Sequence, residues 1–101
     1  MDSLKIVWSL LAEEGLDQVI EYWNWRNKSD TYSKSIVKNL KWTLFVLSVH
    51  PGIAKISSQR KDVHIKVFMS HFLIIYKFDN STLFILDFWD TRKNPSNNRY
   101  F

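Results

Sequence analysis

The 101-residue chain reads as an α+β domain: a helical hairpin packed on one face of a mostly antiparallel four-stranded sheet, in the order β-α-α-β-β-β. Three observations predict this. Apolar residues recur at three- and four-residue spacing between positions 10 and 49, the period of a helix, and alternate or run continuously between 62 and 89, as strands do. A short β-branched and aromatic run precedes both helices and needs a partner in a sheet. With only 2 Gly and 2 Pro, the elements should be regular and their connections short.

Residues 4–8, LKIVW, form the first strand. Ser9 can cap the following helix, and Glu13 and Glu14 fall in its early turns, where the helix dipole favours acids. Leu16, Val19, Ile20 and Trp23 make its apolar stripe, Glu13, Glu14, Asp17 and Glu21 occupy other faces, and the helix ends at 27–29. Asp30 or Thr31 can cap a second helix, with Tyr32, Ile36, Val37, Leu40, Leu44 and Leu47 buried and Lys34, Lys38 and Lys41 solvated. Pro51 ends it, because a proline disfavours helical geometry in the residue before it. A connection this short makes the two helices antiparallel.

Beyond Gly52 the period changes. Residues 53–60 are mixed and loop-like, with 54–56 briefly extended. In residues 62–69, Val63, Ile65, Val67 and Met69 alternate with His64, Lys66 and Phe68. Ser70 and His71 turn the chain. Residues 72–78 are almost continuously apolar, the mark of a central strand buried on both faces. Asp79, Asn80 and Ser81 make a tight turn, and residues 82–89 form the last strand. Residues 1–95 are expected to be one domain and 96–101 a flexible tail.

Composition narrows the function. Hydrophobic residues at 46% and charged residues at 24% suit a packed core rather than a disordered chain. The absence of cysteine excludes disulfides, thiolate metal sites and cysteine nucleophiles, and points to a reducing cytoplasm. The start, MDSLKIVWSLL, has neither the basic end nor the apolar centre of a signal peptide, and no apolar run reaches the ~20 residues that span a membrane. A net charge of +4 favours an anionic partner. No Gly-rich phosphate loop exists, and His50, His64 and His71 lack metal-ligand spacing, so neither cofactor nor metal is expected.

What remains is a set of bases. Lys55, Arg60, Lys61, His64 and Lys66 precede or enter the strand at 62–69, and Arg92 and Lys93 leave the last strand. If the start of the one lies near the end of the other, both groups flank a concavity on the sheet face away from the helices, with Trp89 beside them. Such a surface suits a phosphate backbone and a stacked base. The alternative is that the lysines merely solubilise sheet edges, and that Asp90 and Arg92 pair to tie the chain to the sheet. Trp23 continues its helix stripe into the core, whereas Trp25 lies off it and should face outward.

KIVWS with its acidic helix, IEYWNWRN, YSKSIVKNLKWTLFVLSVHPGI, DVHIKVF, FLIIYKF and FILDFWDTRKNP together resemble the RelE/ParE superfamily, the bacterial toxins of type II toxin-antitoxin modules of the plasmid-stabilisation type. The resemblance covers about 5–95. It implies a small basic toxin held inactive in a hetero-oligomer by a cognate antitoxin that wraps the helices and sheet. RelE-like members cut messenger RNA on the ribosome; ParE-like members poison DNA gyrase. RelE-like members commonly carry an arginine three residues before the tyrosine that ends the central strand. Here that tyrosine is Tyr76 and the position holds Leu73. The missing charge favours the ParE-like reading, with Lys55, Arg60, Lys66, Trp89, Arg92 and Lys93 as target contacts. In the ribonuclease alternative, Arg60, Lys61, Lys66, His71 and Arg92 are the catalytic candidates and Tyr100 could supply a terminal tyrosine. A third reading is an inactive antitoxin-binding module.

Overall fold

The computed structural model describes residues 3–93, so Pro95, Tyr100 and the tail expected at 96–101 lie outside the described residues. The elements are β1 (Lys5–Trp8), α1 (Leu10–Asn27), α2 (Thr31–Val49), β2 (Lys55–Ile56), β3 (His64–Phe68), β4 (Phe72–Phe78) and β5 (Thr82–Asp90). The expected order holds, and the briefly extended stretch at 54–56 supplies β2, a two-residue strand at the sheet edge.

The strands lie in the order β1-β5-β4-β3-β2. β1 is parallel to β5, from Lys5 opposite Thr82 to Trp8 opposite Ile85, and every other pairing is antiparallel. A parallel neighbour requires a long crossover, which the helical hairpin and the β2–β4 meander together provide.

Local chemistry sets the helix boundaries. The Ser9 hydroxyl accepts from the Ala12 N–H at 3.0 Å and donates to the Leu86 carbonyl at 2.8 Å, so one side chain both starts α1 and pins it to β5. α1 ends in a left-handed residue, Lys28 at φ 50°. At the start of α2 the Ser29 hydroxyl, not the Asp30 side chain, accepts from the Thr31 N–H at 3.2 Å, leaving Asp30 to pair with Lys34 at 3.2 Å. The Ser33 hydroxyl bonds the Asn24 amide oxygen across the hairpin.

Ala12 and Val19 of α1 and Ile36, Leu40, Leu44 and Leu47 of α2 pack on Phe68, Phe72, Ile74, Tyr76, Leu83, Ile85 and Phe88. α1 lies so close to β5 that a Cβ at Gly15 would stand 2.4 Å from the Phe88 carbonyl oxygen. The other sheet face carries a second cluster of Val63, Ile75 and Trp89, flanked by Ile65, Leu73 and Leu86. A bulge makes both clusters possible. Ile75 pairs with Asp87 but Tyr76 with Ile85, so Leu86 is an extra residue in β5. That insertion lets Ile85 and Phe88 both join the helix-side core while Leu86 and Trp89 join the opposite cluster.

Candidate functional site

The chain folds back on itself where β5 ends. Asp90 is buried opposite Phe72, and both the backbone N–H and the hydroxyl of Thr91 donate to the His71 carbonyl at 2.9 Å. Arg92 then returns to Asp90: its backbone N–H reaches Oδ1 at 2.9 Å, and its Nε donates to Oδ1 at 3.0 Å and Oδ2 at 3.1 Å. The same guanidinium lies 4.6 Å from the Tyr22 ring centre and 5.1 Å from that of Trp23. Lys93 Nζ donates to Gln18 Oε1 at 3.1 Å and sits 5.3 Å from the Trp89 ring centre. Gln18, Val19, Tyr22, Asp90, Arg92 and Lys93 line a hollow of about 280 Å³.

Burial pushes the Asp90 carboxyl up, but the hydrogen bonds from Arg92 and the charges of Arg92 and Lys93 outweigh it and hold Asp90 below the usual carboxylate range. The bond to Asp90 in turn raises Arg92. Tyr22 is lowered, chiefly by its hydrogen bond to Arg92, against a smaller opposing effect of burial. Chemically this is a guanidinium already neutralised by a carboxylate and sandwiched on aromatic rings. It fastens β5 to α1, with its Nε and one Nη turned to Asp90.

At the opposite end of the sheet Arg60 pairs with Asp62 at 3.1 Å, and that bond lowers the Asp62 carboxyl. Lys55 and Lys61 are exposed. His64 is buried; its ring stacks on Tyr76 with centres 5.4 Å apart and lies tilted against Phe78 at 5.3 Å. The Tyr76 hydroxyl donates to the Pro51 carbonyl at 2.6 Å, and burial pushes its pKa up to about 12.

The single cationic concavity expected from the sequence is not formed. β4 is antiparallel to both neighbours, so β3 and β5 run the same way. His64, Tyr76 and Ile85 align at one end, and Phe68, Phe72 and Asp90 at the other. Arg60 and Lys61, which lead into His64, therefore stand a strand's length, roughly 13 Å at ~3.3 Å per residue, from His71, Arg92 and Lys93, and Lys55, opposite Ile65 on the edge strand β2, lies three strands away from β5. Lys66 pairs with Ile74 and shares the helix-side face, whereas Trp89 pairs with Leu73 on the other. Trp89 is not an exposed stacking platform either; at 8% exposure it belongs to the second core cluster. Trp25, 76% exposed, is the outward ring, and Trp23 packs against the core. His64 and His71 lie at opposite ends of β3 and do not meet. The structure does join Asp90 to Arg92, the pairing left open above. It adds Tyr22 and Gln18, whose partners are so distant in sequence that no local pattern announces them.

Neither a protein-family model nor a curated protein matches the chain. Among solved structures, a chain of the chromosomal ParDE TA system from P. aeruginosa matches with a TM-score of 0.71, over 87% of this chain and 96% of that one, at 14% identity. The two chains share a fold. At this identity the likeness speaks of the arrangement of elements and not of side chains. Among the described residues no group of three His, Cys, Asp or Glu is placed to hold a metal ion, and no helix is long and apolar enough to cross a membrane.

Proposed function

We propose that this chain is the toxin of a type II toxin-antitoxin pair of the RelE/ParE kind, held inactive in a hetero-oligomer by a cognate antitoxin, and that it arrests growth by binding DNA gyrase. The observation that carries the reading is the fold it shares, over 87% of its length, with a chain of a ParDE TA system. The whole-chain sequence resemblance supports it independently.

Two features favour gyrase over messenger RNA as the target. Leu73, where the ribonuclease branch commonly has an arginine, packs opposite Val67 and Trp89 and brings no charge. Cleaving a phosphodiester calls for positive charge preorganised around one phosphate. Arg60, Lys61, Lys66, His71 and Arg92 do not converge on one point, and Arg92 already binds Asp90. Lys55 and Lys61 at one end of the sheet, and Lys93 at the other, are the exposed candidates for contact with the target.

The test is to purify the protein and read two outcomes side by side. Inhibition of gyrase supercoiling with ribosome-bound messenger left intact supports the proposal, and the reverse result rejects it. The second reading, a ribosome-dependent endoribonuclease, draws on exposed His71 beside the Thr91–Arg92 turn. It requires that His71→Ala or Lys61→Ala abolish messenger cleavage while the fold survives.

A further inference from the structure

The outer surface of the helical hairpin is divided by charge. Glu13, Glu14, Asp17 and Glu21 are exposed on α1, and Lys34, Lys38 and Lys41 on α2. Glu13, Asp17 and Glu21, four and eight residues apart, share one face of α1, and Lys34, Lys38 and Lys41, four and seven apart, share one face of α2. Apart from Lys34, bonded to Asp30, none of these side chains forms an ion pair among the described residues. Between the two crests runs a groove of about 510 Å³ with Leu16, Val37, Leu40 and Leu44 in it and Glu13, Asp17 and Lys41 on its rims. Also on α2, Trp42 and Phe45 stand 67% and 53% exposed with ring centres 5.8 Å apart.

We propose that this hairpin face docks a second copy of the same chain. A two-fold axis along the hairpin lays α1 of each protomer over α2 of its partner, the self-complementary arrangement that such symmetry demands. Acids of one protomer then meet lysines of the other twice over, and the exposed Trp42 and Phe45 rings are covered between them. Stacking α1 on α1 would set like charges against each other and is disfavoured. Because both signs stand on one face, in two parallel crests, that face is complementary to itself, which is the ground for choosing a second copy as its occupant.

Size sets the strength. Two helices of 18 and 19 residues present a face of roughly 27 by 20 Å, about 500 Å², at the low end for a specific interface. The dimer is therefore reversible, and salt weakens it because its charge pairs lie at a solvated rim. This goes beyond the proposed toxin role and does not rest on it.

Sedimentation of the full chain over a concentration series, at low and high salt, is the test. A monomer–dimer equilibrium that loosens about tenfold in high salt is expected. The double variant Lys38→Glu/Lys41→Glu should be monomeric, as should Glu13→Lys/Asp17→Lys, and mixing the two should restore a one-to-one dimer, because each then presents the charge the other needs. Circular dichroism checks that both fold; if either does not, Trp42→Ser/Phe45→Ser replaces it and should also be monomeric. A wild-type chain that stays monomeric throughout, including one that associates only with a different protein, overturns the proposal. So does a dimer that both charge reversals leave intact, or a mixture of folded variants that fails to pair.

Discussion

The Arg92 guanidinium lies 4.6 Å from the centre of the Tyr22 ring, so the end of the last strand is fastened to the first helix. Asp90 holds it there from the other side. Arg92→Ala strands a buried carboxylate, and the expected loss is about 1–2 kcal/mol, kept small because roughly half of the Arg92 side chain faces solvent. A urea titration should show a lower midpoint with an unchanged slope. Arg92→Lys should recover only part of the loss, since an ammonium can neither fork onto both carboxylate oxygens nor stack on the ring.

The same pair makes stability depend on acid. Asp90 is held below its ordinary value of 3.8 when folded, so its contribution is present in full above the unfolded pKa and fades as pH falls through the folded one. Wild-type urea midpoints should drop as pH is lowered below about 4. Asp90→Asn should begin lower at neutral pH and fall less steeply. It should not become flat, because Asp62 and Asp79 are also lowered, by bonds from Arg60 and from the Ser81 and Thr82 backbone, and remain in the variant.

How much of this could be read from the sequence depends on range. Ser9 as a cap, the two helical stripes and the turn at Asp79 are set by neighbours within a few residues, and periodicity exposes them. The bulge at Leu86 shifts the phase of β5 partway along, so strict alternation over 82–89 would set Trp89 beside Leu83 and Ile85 under the helices; it lies instead on the far face of the sheet, which is not open but closed by a second apolar cluster. The cationic groups were separated by topology, not by any residue: three antiparallel neighbours always set the first and third strands running the same way. Arg92 on Tyr22 and Lys93 on Gln18 are contacts across most of the chain, and composition alone cannot announce them.

Gly15→Ala tests the close approach of α1 to β5. In an exposed helix the change would add up to ~1 kcal/mol through propensity. Here the new methyl would collide with the Phe88 backbone carbonyl, which is no flexible side chain that can swing away. Overpacking should win, with a net loss of about 1–3 kcal/mol read as a lower denaturation midpoint.

The two tryptophans distinguish surface from core. Trp25→Ala should leave stability within about 0.5 kcal/mol, because the ring is 76% exposed. Trp89→Ala removes a ring packed with Val63 and Ile75 and should cost about 3–5 kcal/mol. Thermal or urea unfolding of both variants gives the comparison directly. Any loss of activity in Trp89→Ala must then be read against its folded fraction, whereas a loss in Trp25→Ala would mark a contact.

Tyr76 governs the alkaline side. Its phenol is fully buried, and its pKa is pushed up to about 12 from 10.0 by that burial, against a smaller opposing pull from the Ala54 backbone. The folded state therefore favours the neutral phenol. That contribution is complete below the unfolded pKa of 10.0 and is lost as pH rises through the folded value of about 12. Tyr76→Phe removes the hydrogen bond to the Pro51 carbonyl and should cost about 1 kcal/mol at neutral pH, because the 51–54 loop loses its tie to the central strand. The variant should also lose part of the wild-type decline at high pH. Urea midpoints at neutral pH and above pH 10 separate the two effects: a variant whose deficit shrinks in alkali has lost a buried phenol, and one whose deficit stays constant has lost only a hydrogen bond.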